Sequence, residues 1–188
     1  SNYDTELFGH WWFEGVDWLK GVVRRLAQND SVELLSATEM VEKYQPDLVA
    51  ELPESSWGAG GNDFTWMNPE TEWMWPIIRD MELRTEALVA AYPEADGARK
   101  QALDQAASEL LLLQSSDWPF LVTTGQAKEY ATKRFRDHVG RFEEMADIAE
   151  SDEVSPAQAK RLAELEAQDN PFPEIDYTDF RERQGSAA

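Results

Sequence analysis

Apolar residues recur at helical spacing through most of the second half of the chain, and this periodicity restricts the fold more than any other feature of the sequence. Residues 97–114 and 124–149 each carry a continuous apolar face, and Ser155-Pro156 opens a further periodic segment. A helix with one apolar face becomes stable when that face packs against another element. The pattern therefore predicts a mainly α fold that contains a helical bundle.

The first 45 residues follow a different pattern. Apolar spacing predicts a helix over residues 15–27, and the Val-Glu-Leu-Leu run at 32–35 predicts a short strand. Ser36 or Thr38 can cap a brief second helix, which Pro46 ends. This order is typical of the last part of an alternating β/α unit.

A long loop over residues 46–68 is rich in glycine and aromatic residues. Loops of this length in compact domains are often functional. Trp57 and Trp66 offer indole faces on which the apolar C–H face of a sugar ring can lie. Polar side chains for hydroxyl groups are supplied nearby by Asn62, Asp63 and Asn68. The alternative is that both indoles pin the loop to the helical core, and the spacing leaves both interpretations open.

Three further segments have local signals. Asn68 followed by Pro69 predicts a helix that begins there and runs to about Ala91. Residues 115–120 join two predicted helices, where a serine or aspartate can cap a turn and the two aromatic residues are predicted to be structural. The tail at 171–177 is predicted to be extended and to pack back on the bundle.

The composition excludes several classes of protein. Asp and Glu number 37 against 17 Lys and Arg, which gives a net charge of −20 and argues against binding to nucleic acid. Without cysteine, disulfides and thiolate-bound metals are impossible. Since no apolar run approaches about 20 residues, no membrane partner is predicted and a cytoplasmic location is expected. Neither a cofactor nor a metal is predicted.

Asp4 is the first candidate catalytic residue, because it lies close in sequence to His10 and Trp11. A carboxyl group in such surroundings can act as a general acid, whereas the alternative is that Asp4 caps or hydrogen-bonds a turn. His10 and His138 are far apart and lack acidic partners at matching spacing, so they do not predict a metal site. His138 is predicted to be a surface or packing residue of a helix.

Ordered motifs along nearly the whole chain resemble the C-terminal part of the 1,4-α-glucan branching enzymes of glycoside hydrolase family 57. They are YDTELFGHWWFEG at 3–15, SSWG at 55–58 with WMNPE at 66–70, LQSSDWPF at 113–120, and the closing NPFPEIDY at 170–177. The resemblance implies a distorted (β/α)7 barrel followed by a helical domain that covers the cleft. Residues 1–45 are then the last strand and helix of the barrel, and residues 46–188 are the helical domain.

The resemblance also implies a mechanism. The family cleaves α-1,4 bonds and forms α-1,6 bonds by a retaining double displacement, with a Glu nucleophile and an Asp acid/base that carries over onto Asp4. The segment with the nucleophile is expected to precede this chain, which is then an inactive part of a longer enzyme. Trp57 and Trp66 become part of an aromatic wall that binds α-glucan, while Trp11 and His10 shape the site. The partners implied are the glucan, as in glycogen biosynthesis, and the barrel of the same polypeptide.

Three alternatives remain open. The chain can be a non-catalytic carbohydrate-binding helical module, or an acidic protein-interaction domain in which all the tryptophans are core. A sibling activity of the same family, 4-α-glucanotransfer or amylase, also fits, because the residues on the donor side are missing.

Overall fold

The computed structural model describes residues 3–46, 48–168 and 170–181. The chain divides into two compact units between Pro53 and Glu54. Throughout the described ranges, the regular structure consists of α-helices and short 3-10 turns, and no strand ladder is present. The predicted mainly α architecture is thus confirmed.

The first unit contains two helices, α1 (Gly15–Leu26) and α2 (Ala37–Lys43), both as predicted. Helix α2 begins with a reciprocal capping box: the Glu39 N–H donates to Ser36 Oγ at 3.2 Å, and the Ser36 N–H donates to Glu39 Oε2 at 2.8 Å. The strand predicted at 32–35 is not formed. These residues are irregular, because a strand needs a neighbour to accept its backbone hydrogen bonds and no described residue provides one.

Five helices make up the second unit. They are α3 (Met74–Ala91), α4 (Gly97–Leu113), α5 (Asp117–Thr124), α6 (Lys128–Glu150) and α7 (Pro156–Gln168). Helix α4 packs against α3, α6 and α7, and α5 packs against α6. The helical bundle is therefore organised around the contact between α4 and α6.

The core lies along this contact. Leu103 and Leu110 of α4 are buried together with Phe135, Phe142 and Met145 of α6. Each such side chain stabilises the fold by about 1.5–3 kcal/mol when fully buried. The predicted periodicity and the observed burial agree at these positions, whereas Tyr130, which the same period predicts to face inward, is exposed.

Helix α3 begins five residues later than the sequence predicts. Residues 69–73 form turns, and the helix starts at Met74 with Pro76 in its first turn. Proline lacks an N–H, so a helix that began at Pro69 would lose an internal hydrogen bond at Pro76, whereas the first turn tolerates it.

Helix α5 lies where the sequence suggested only a connection. It has only eight residues, and most of them are apolar, so the segment lacks the alternation of apolar and polar faces by which a helix is recognised in a sequence. A helix this short is not stable alone. Its packing against α6 stabilises it in this position.

The tail packs back on the bundle, as predicted. Tyr177 is buried, its hydroxyl donates to the Tyr92 carbonyl at 2.5 Å, and the same oxygen accepts from the Ala95 N–H at 3.0 Å. The Tyr177 N–H donates to Asp104 Oδ1 at 3.0 Å. Next to it, hydrogen bonds from the Thr178 hydroxyl and N–H lower the pKa of Asp176. In the described part of the chain, no helix has the length and apolarity needed to cross a membrane.

Candidate functional site

The loop that carries Trp57 and Trp66 is fixed by its own hydrogen bonds. Ser56 is central: its N–H donates to the Gly61 carbonyl at 3.1 Å, its hydroxyl donates to the Asn62 carbonyl at 2.7 Å, and its Oγ accepts from the Gly58 N–H at 3.0 Å. Gly60 has a φ of 74°, which lets the chain reverse direction at low conformational cost. The loop is therefore ordered by polar contacts and leaves its aromatic side chains available.

Trp57 and Trp66 lie against each other, with ring centroids 5.1 Å apart and an edge-to-face angle of 78°. Trp57 is 76% exposed and Trp66 is half-buried. The Trp57 ring also contacts Phe120 of α5 at a centroid distance of 5.5 Å. The two predicted platform residues thus form one aromatic surface, which we call the indole platform (Trp57, Trp66 and Phe120).

A close approach by Gly58 fixes the position of Trp66. A Cβ atom at Gly58 would lie 2.7 Å from Trp66 Cζ3 and 2.8 Å from Thr65 Oγ1. The Trp66 carbonyl accepts hydrogen bonds from Thr71 Oγ1 at 2.8 Å and from Trp75 Nε1 at 3.1 Å. These contacts hold the backbone of Trp66 against the start of α3.

Asn68 has a structural role, unlike the hydroxyl-binding role suggested by its sequence position. It is buried, and its amide donates to the Phe64 carbonyl and to Thr123 Oγ1, both at 2.8 Å. Its Oδ1 accepts from the Glu70 N–H at 2.9 Å. Since these contacts occupy the side chain, Asn68 ties the loop to α5.

The motif at the start of the chain forms a closed turn in the first unit. The Trp12 N–H donates to the Leu7 carbonyl and the Gly9 N–H donates to the Trp12 carbonyl, both at 2.9 Å. This turn places His10 and Trp11 at its tip, with ring centroids 4.9 Å apart, and leaves Trp11 77% exposed. An exposed imidazole and indole in contact can both reach a ligand.

Asp4 precedes the 3-10 turn Thr5–Leu7, and its backbone carbonyl accepts from the Leu7 N–H at 3.1 Å. Its side chain is exposed and makes no capping hydrogen bond with any described residue. Asp4 therefore hydrogen-bonds this turn through its backbone and not through its carboxylate. The carboxylate is available for other chemistry.

These candidate residues belong to two units. Asp4, His10 and Trp11 lie in the first unit, whereas Trp57 and Trp66 lie in the second. Within the first unit the rings of His10 and Trp11 are in contact, and within the second unit the rings of Trp57 and Trp66 are in contact. That all five residues line one cleft stays a prediction.

His138 is a packing residue. It is fully buried, and its Nδ1 lies 2.6 Å from Glu109 Oε2, which is also buried. Among the residues described, no group of three or more His, Asp or Glu side chains is arranged to hold a metal ion.

Residues 77–180, more than half of the chain, match the family described as the C-terminal domain of 1,4-alpha-glucan branching enzyme. A 1,4-alpha-glucan branching enzyme of Thermococcus kodakarensis is 46% identical over 172 residues, which are 90% of this chain and 25% of that protein. The chain therefore spans about a quarter of that curated relative.

Solved structures agree with this relationship. The crystal structure of a GH57 branching enzyme from Thermococcus kodakaraensis, in complex with glucose, superposes with a TM-score of 0.75 at 42% identity, covering 96% of this chain and 33% of that one. The α-amylase AmyC of Thermotoga maritima superposes with a TM-score of 0.63 at 32% identity, covering 95% of this chain and 32% of that one. The chain belongs to the family of 1,4-alpha-glucan branching enzyme C-terminal domains.

Proposed function

We propose that this chain is the C-terminal part of a 1,4-α-glucan branching enzyme and that it completes the cleft in which an α-glucan is bound. The proposal rests on the contact between Trp57 and Trp66, whose ring centroids lie 5.1 Å apart. Both residues lie on a loop that is ordered by hydrogen bonds, in a chain that belongs to this family. An exposed indole face binds the C–H face of a glucosyl unit and leaves the sugar hydroxyls free for polar partners.

Asp4 is the proposed acid/base of the reaction. It protonates the oxygen of the departing glucan, and after the glycosyl-enzyme has formed it takes the proton from the 6-hydroxyl of the acceptor. This retaining chemistry requires a second carboxyl group about 5–5.5 Å away as nucleophile. In the proposal, the barrel of the same polypeptide supplies that group.

Transfer in place of hydrolysis requires that an acceptor sugar, and not water, reaches the glycosyl-enzyme. Trp57 and Trp66 favour this outcome by covering bound glucan with apolar surface. His10 and Trp11 shape the site beside Asp4. The products fit a role in the synthesis of a glycogen-like polymer in the cytoplasm.

Asp4→Asn in the complete polypeptide tests the assignment of the acid/base. We expect loss of α-1,6 linkage formation on amylose with an unchanged melting temperature, because the amide cannot donate and then accept the proton. The measurement is the branch content of the product after debranching. Asp17→Asn removes another exposed carboxylate of the first unit, from the first turn of α1, and serves as the control. A normal rate of branching by Asp4→Asn would overturn the assignment.

Trp57→Ala tests the platform. Because the Trp57 side chain is largely exposed, we expect weaker transfer to amylose with a melting temperature close to that of the unchanged protein. Trp66→Ala is expected to weaken transfer as well. Tyr130→Ala removes another exposed aromatic ring from the second unit and should leave transfer unchanged. A large fall in melting temperature with normal transfer in Trp57→Ala would favour a purely structural role.

The similarity to an α-amylase supports one second candidate, a sibling glucan-cleaving or glucan-transferring activity. The product distinguishes the two functions. New α-1,6 linkages identify a branching enzyme, whereas shorter or longer chains with only α-1,4 linkages identify an amylase or a 4-α-glucanotransferase. A complete polypeptide that binds glucan without changing its linkages would instead be a carbohydrate-binding protein.

A further inference from the structure

A buried hydrogen bond joins the loop that carries the two tryptophans to helix α5. Asn68 is only 7% exposed, and its Nδ2 donates to Thr123 Oγ1 at 2.8 Å. The same amide group donates to the Phe64 carbonyl at 2.8 Å, while its Oδ1 accepts from the Glu70 N–H at 2.9 Å. Because a backbone N–H only donates and a carbonyl only accepts, these two partners fix the orientation of the amide. The other N–H of the amide is therefore directed at Thr123.

The Asn68 amide meets the loop at a turn that directly precedes Trp66. The 3-10 turn Asp63–Thr65 packs against α5, and the Trp66 N–H donates to the Asp63 carbonyl at 2.9 Å. Phe64, whose carbonyl accepts from Asn68, is the middle residue of this turn. One side chain is thus hydrogen-bonded both to the turn that positions Trp66 and to helix α5.

An aromatic contact of the indole platform crosses the same boundary between loop and helix. The Trp57 ring, on the loop, meets the Phe120 ring of α5 at a centroid distance of 5.5 Å. Phe120 and Thr123 are three residues apart on α5, so they lie on one face of the helix, one turn apart. Since Trp57 is 76% exposed, its own packing does little to hold it. The spacing between the Trp57 and Phe120 rings therefore depends on how the loop is attached to the helix.

We propose that Asn68 and Thr123 are positioning residues that set the balance between transfer and hydrolysis. Their hydrogen bond holds the loop against α5, so that the indole platform covers bound glucan as one surface and excludes water. Without the bond, the loop separates from α5 and water reaches the glycosyl-enzyme. This inference rests on the proposed function and assigns a role in it to a bond within the protein.

The two outcomes differ only in what attacks the glycosyl-enzyme. In transfer, the 6-hydroxyl oxygen of the acceptor bonds to the anomeric carbon, the bond to the nucleophile breaks, and the hydroxyl proton passes to Asp4. In hydrolysis, a water oxygen forms that bond and Asp4 takes a proton from the water. Transfer creates an α-1,6 linkage and no new reducing end, whereas hydrolysis creates one new reducing end.

The competing role for the hydrogen bond between Asn68 and Thr123 is purely structural. A bond that only stabilises the fold changes the amount of folded protein, and its loss lowers transfer and hydrolysis by the same factor. A bond that positions the platform changes the ratio of hydrolysis to transfer. Because this ratio does not depend on the amount of folded protein, it separates the two roles.

Three substitutions on α5 form a matched set. Thr123→Val removes the hydroxyl with little change in shape, and Thr123→Ser keeps the hydroxyl. Thr124→Val is the control, because Thr124 is the next residue on α5 and its hydroxyl donates to the Phe120 carbonyl of its own helix at 3.0 Å. The complete polypeptide is incubated with amylose. Hydrolysis is measured as new reducing ends, and transfer as the further reducing ends that a debranching enzyme releases.

For Thr123→Val we expect the ratio of hydrolysis to transfer to rise about three- to tenfold, which corresponds to the loss of one neutral hydrogen bond. Thr123→Ser and Thr124→Val should keep the ratio of the unchanged protein. In a Trp57→Ala background, Thr123→Val should cause no further rise, because the contact through which it acts is already absent.

An unchanged ratio in Thr123→Val overturns the inference, and so does an equal rise in Thr123→Ser or Thr124→Val. A full additional rise in the Trp57→Ala background would show that Thr123 does not act through the platform. An unchanged protein that forms no α-1,6 linkages contradicts the proposed function together with this inference. Normal branching with a ratio that is insensitive to Thr123 contradicts only this inference.

Discussion

Glu109 and His138 connect the two central helices of the bundle through a buried polar contact. His138 Nδ1 lies 2.6 Å from Glu109 Oε2, Gln105 Nε2 donates to Glu109 Oε1 at 3.0 Å, and the Trp118 ring stacks on the imidazole. Burial of ionisable groups is costly unless they are paired and hydrogen-bonded. The contact therefore favours one alignment of α4 against α6.

Glu109→Leu is expected to lower the free energy of unfolding by about 1–3 kcal/mol, because it leaves the imidazole nitrogen buried without this hydrogen-bond partner. Urea unfolding followed by tryptophan fluorescence measures the change. The double variant Glu109→Leu/His138→Leu should regain much of the loss, since two apolar groups can replace a buried pair at little cost. A single variant as stable as the unchanged protein would contradict this account.

At the scale of elements, helices α3 and α5 share a signal that sequence periodicity does not report. The second and third residues of each helix are Trp-Pro, so that Pro76 and Pro119 stand at the third helical position. Proline fits there because the N–H groups of the first turn have no partner within the helix. A Trp-Pro pair can thus mark a helix start, although packing is needed to show that a helix follows.

The tail is held to the bundle through one hydroxyl group. Tyr177→Phe removes the oxygen that bridges Tyr92 and Ala95 and leaves a half-buried N–H and a half-buried carbonyl without that partner. We expect a loss of about 1–3 kcal/mol in the free energy of unfolding, measured by chemical denaturation. Tyr130→Phe removes a hydroxyl from a residue that is 56% exposed and should change stability little. Equal effects of the two substitutions would contradict a specific role for this hydroxyl.

At the scale of the whole molecule, the charge of −20 affects stability more than function. Like charges on a compact surface repel one another, and unfolding separates them. Several ion pairs are exposed, such as Lys133 with Asp137, and exposed pairs contribute about 0–1 kcal/mol. They do not offset an excess of 20 acidic residues over basic ones.

We therefore expect the melting temperature to rise with salt at low ionic strength. Between 0.01 M and 0.15 M NaCl the Debye length falls from about 30 Å to about 8 Å, which screens repulsion across the surface. Scanning calorimetry at several NaCl concentrations measures the shift, and an equal osmolality of glycerol controls for general solute effects. A melting temperature that falls with added NaCl in this range would show that the ion pairs outweigh the repulsion.

The sequence by itself determined the helices whose signals are local. Periodic apolar faces predicted α1, α4, α6 and α7, the capping serine predicted α2, and the ordered motifs indicated the family. These features depend on neighbours three or four residues apart, so they can be read along the chain. The sequence also singled out Trp57 and Trp66 as candidate platforms in one Gly-rich loop, while their spacing left open whether they instead pin the loop to the core.

Only the tertiary structure decided which distant residues meet. Asn68 is hydrogen-bonded to Thr123, which lies 55 residues away in the sequence, and Glu109 is hydrogen-bonded to His138, which lies 29 residues away. No local pattern in the sequence indicates either partner. The contact of Phe120 with Trp57, the helix α5 and the absence of a strand at 32–35 within the described residues likewise depend on which neighbours pack against each segment. Burial and hydrogen bonding between distant segments, and not local propensity, choose among the conformations that the sequence leaves open.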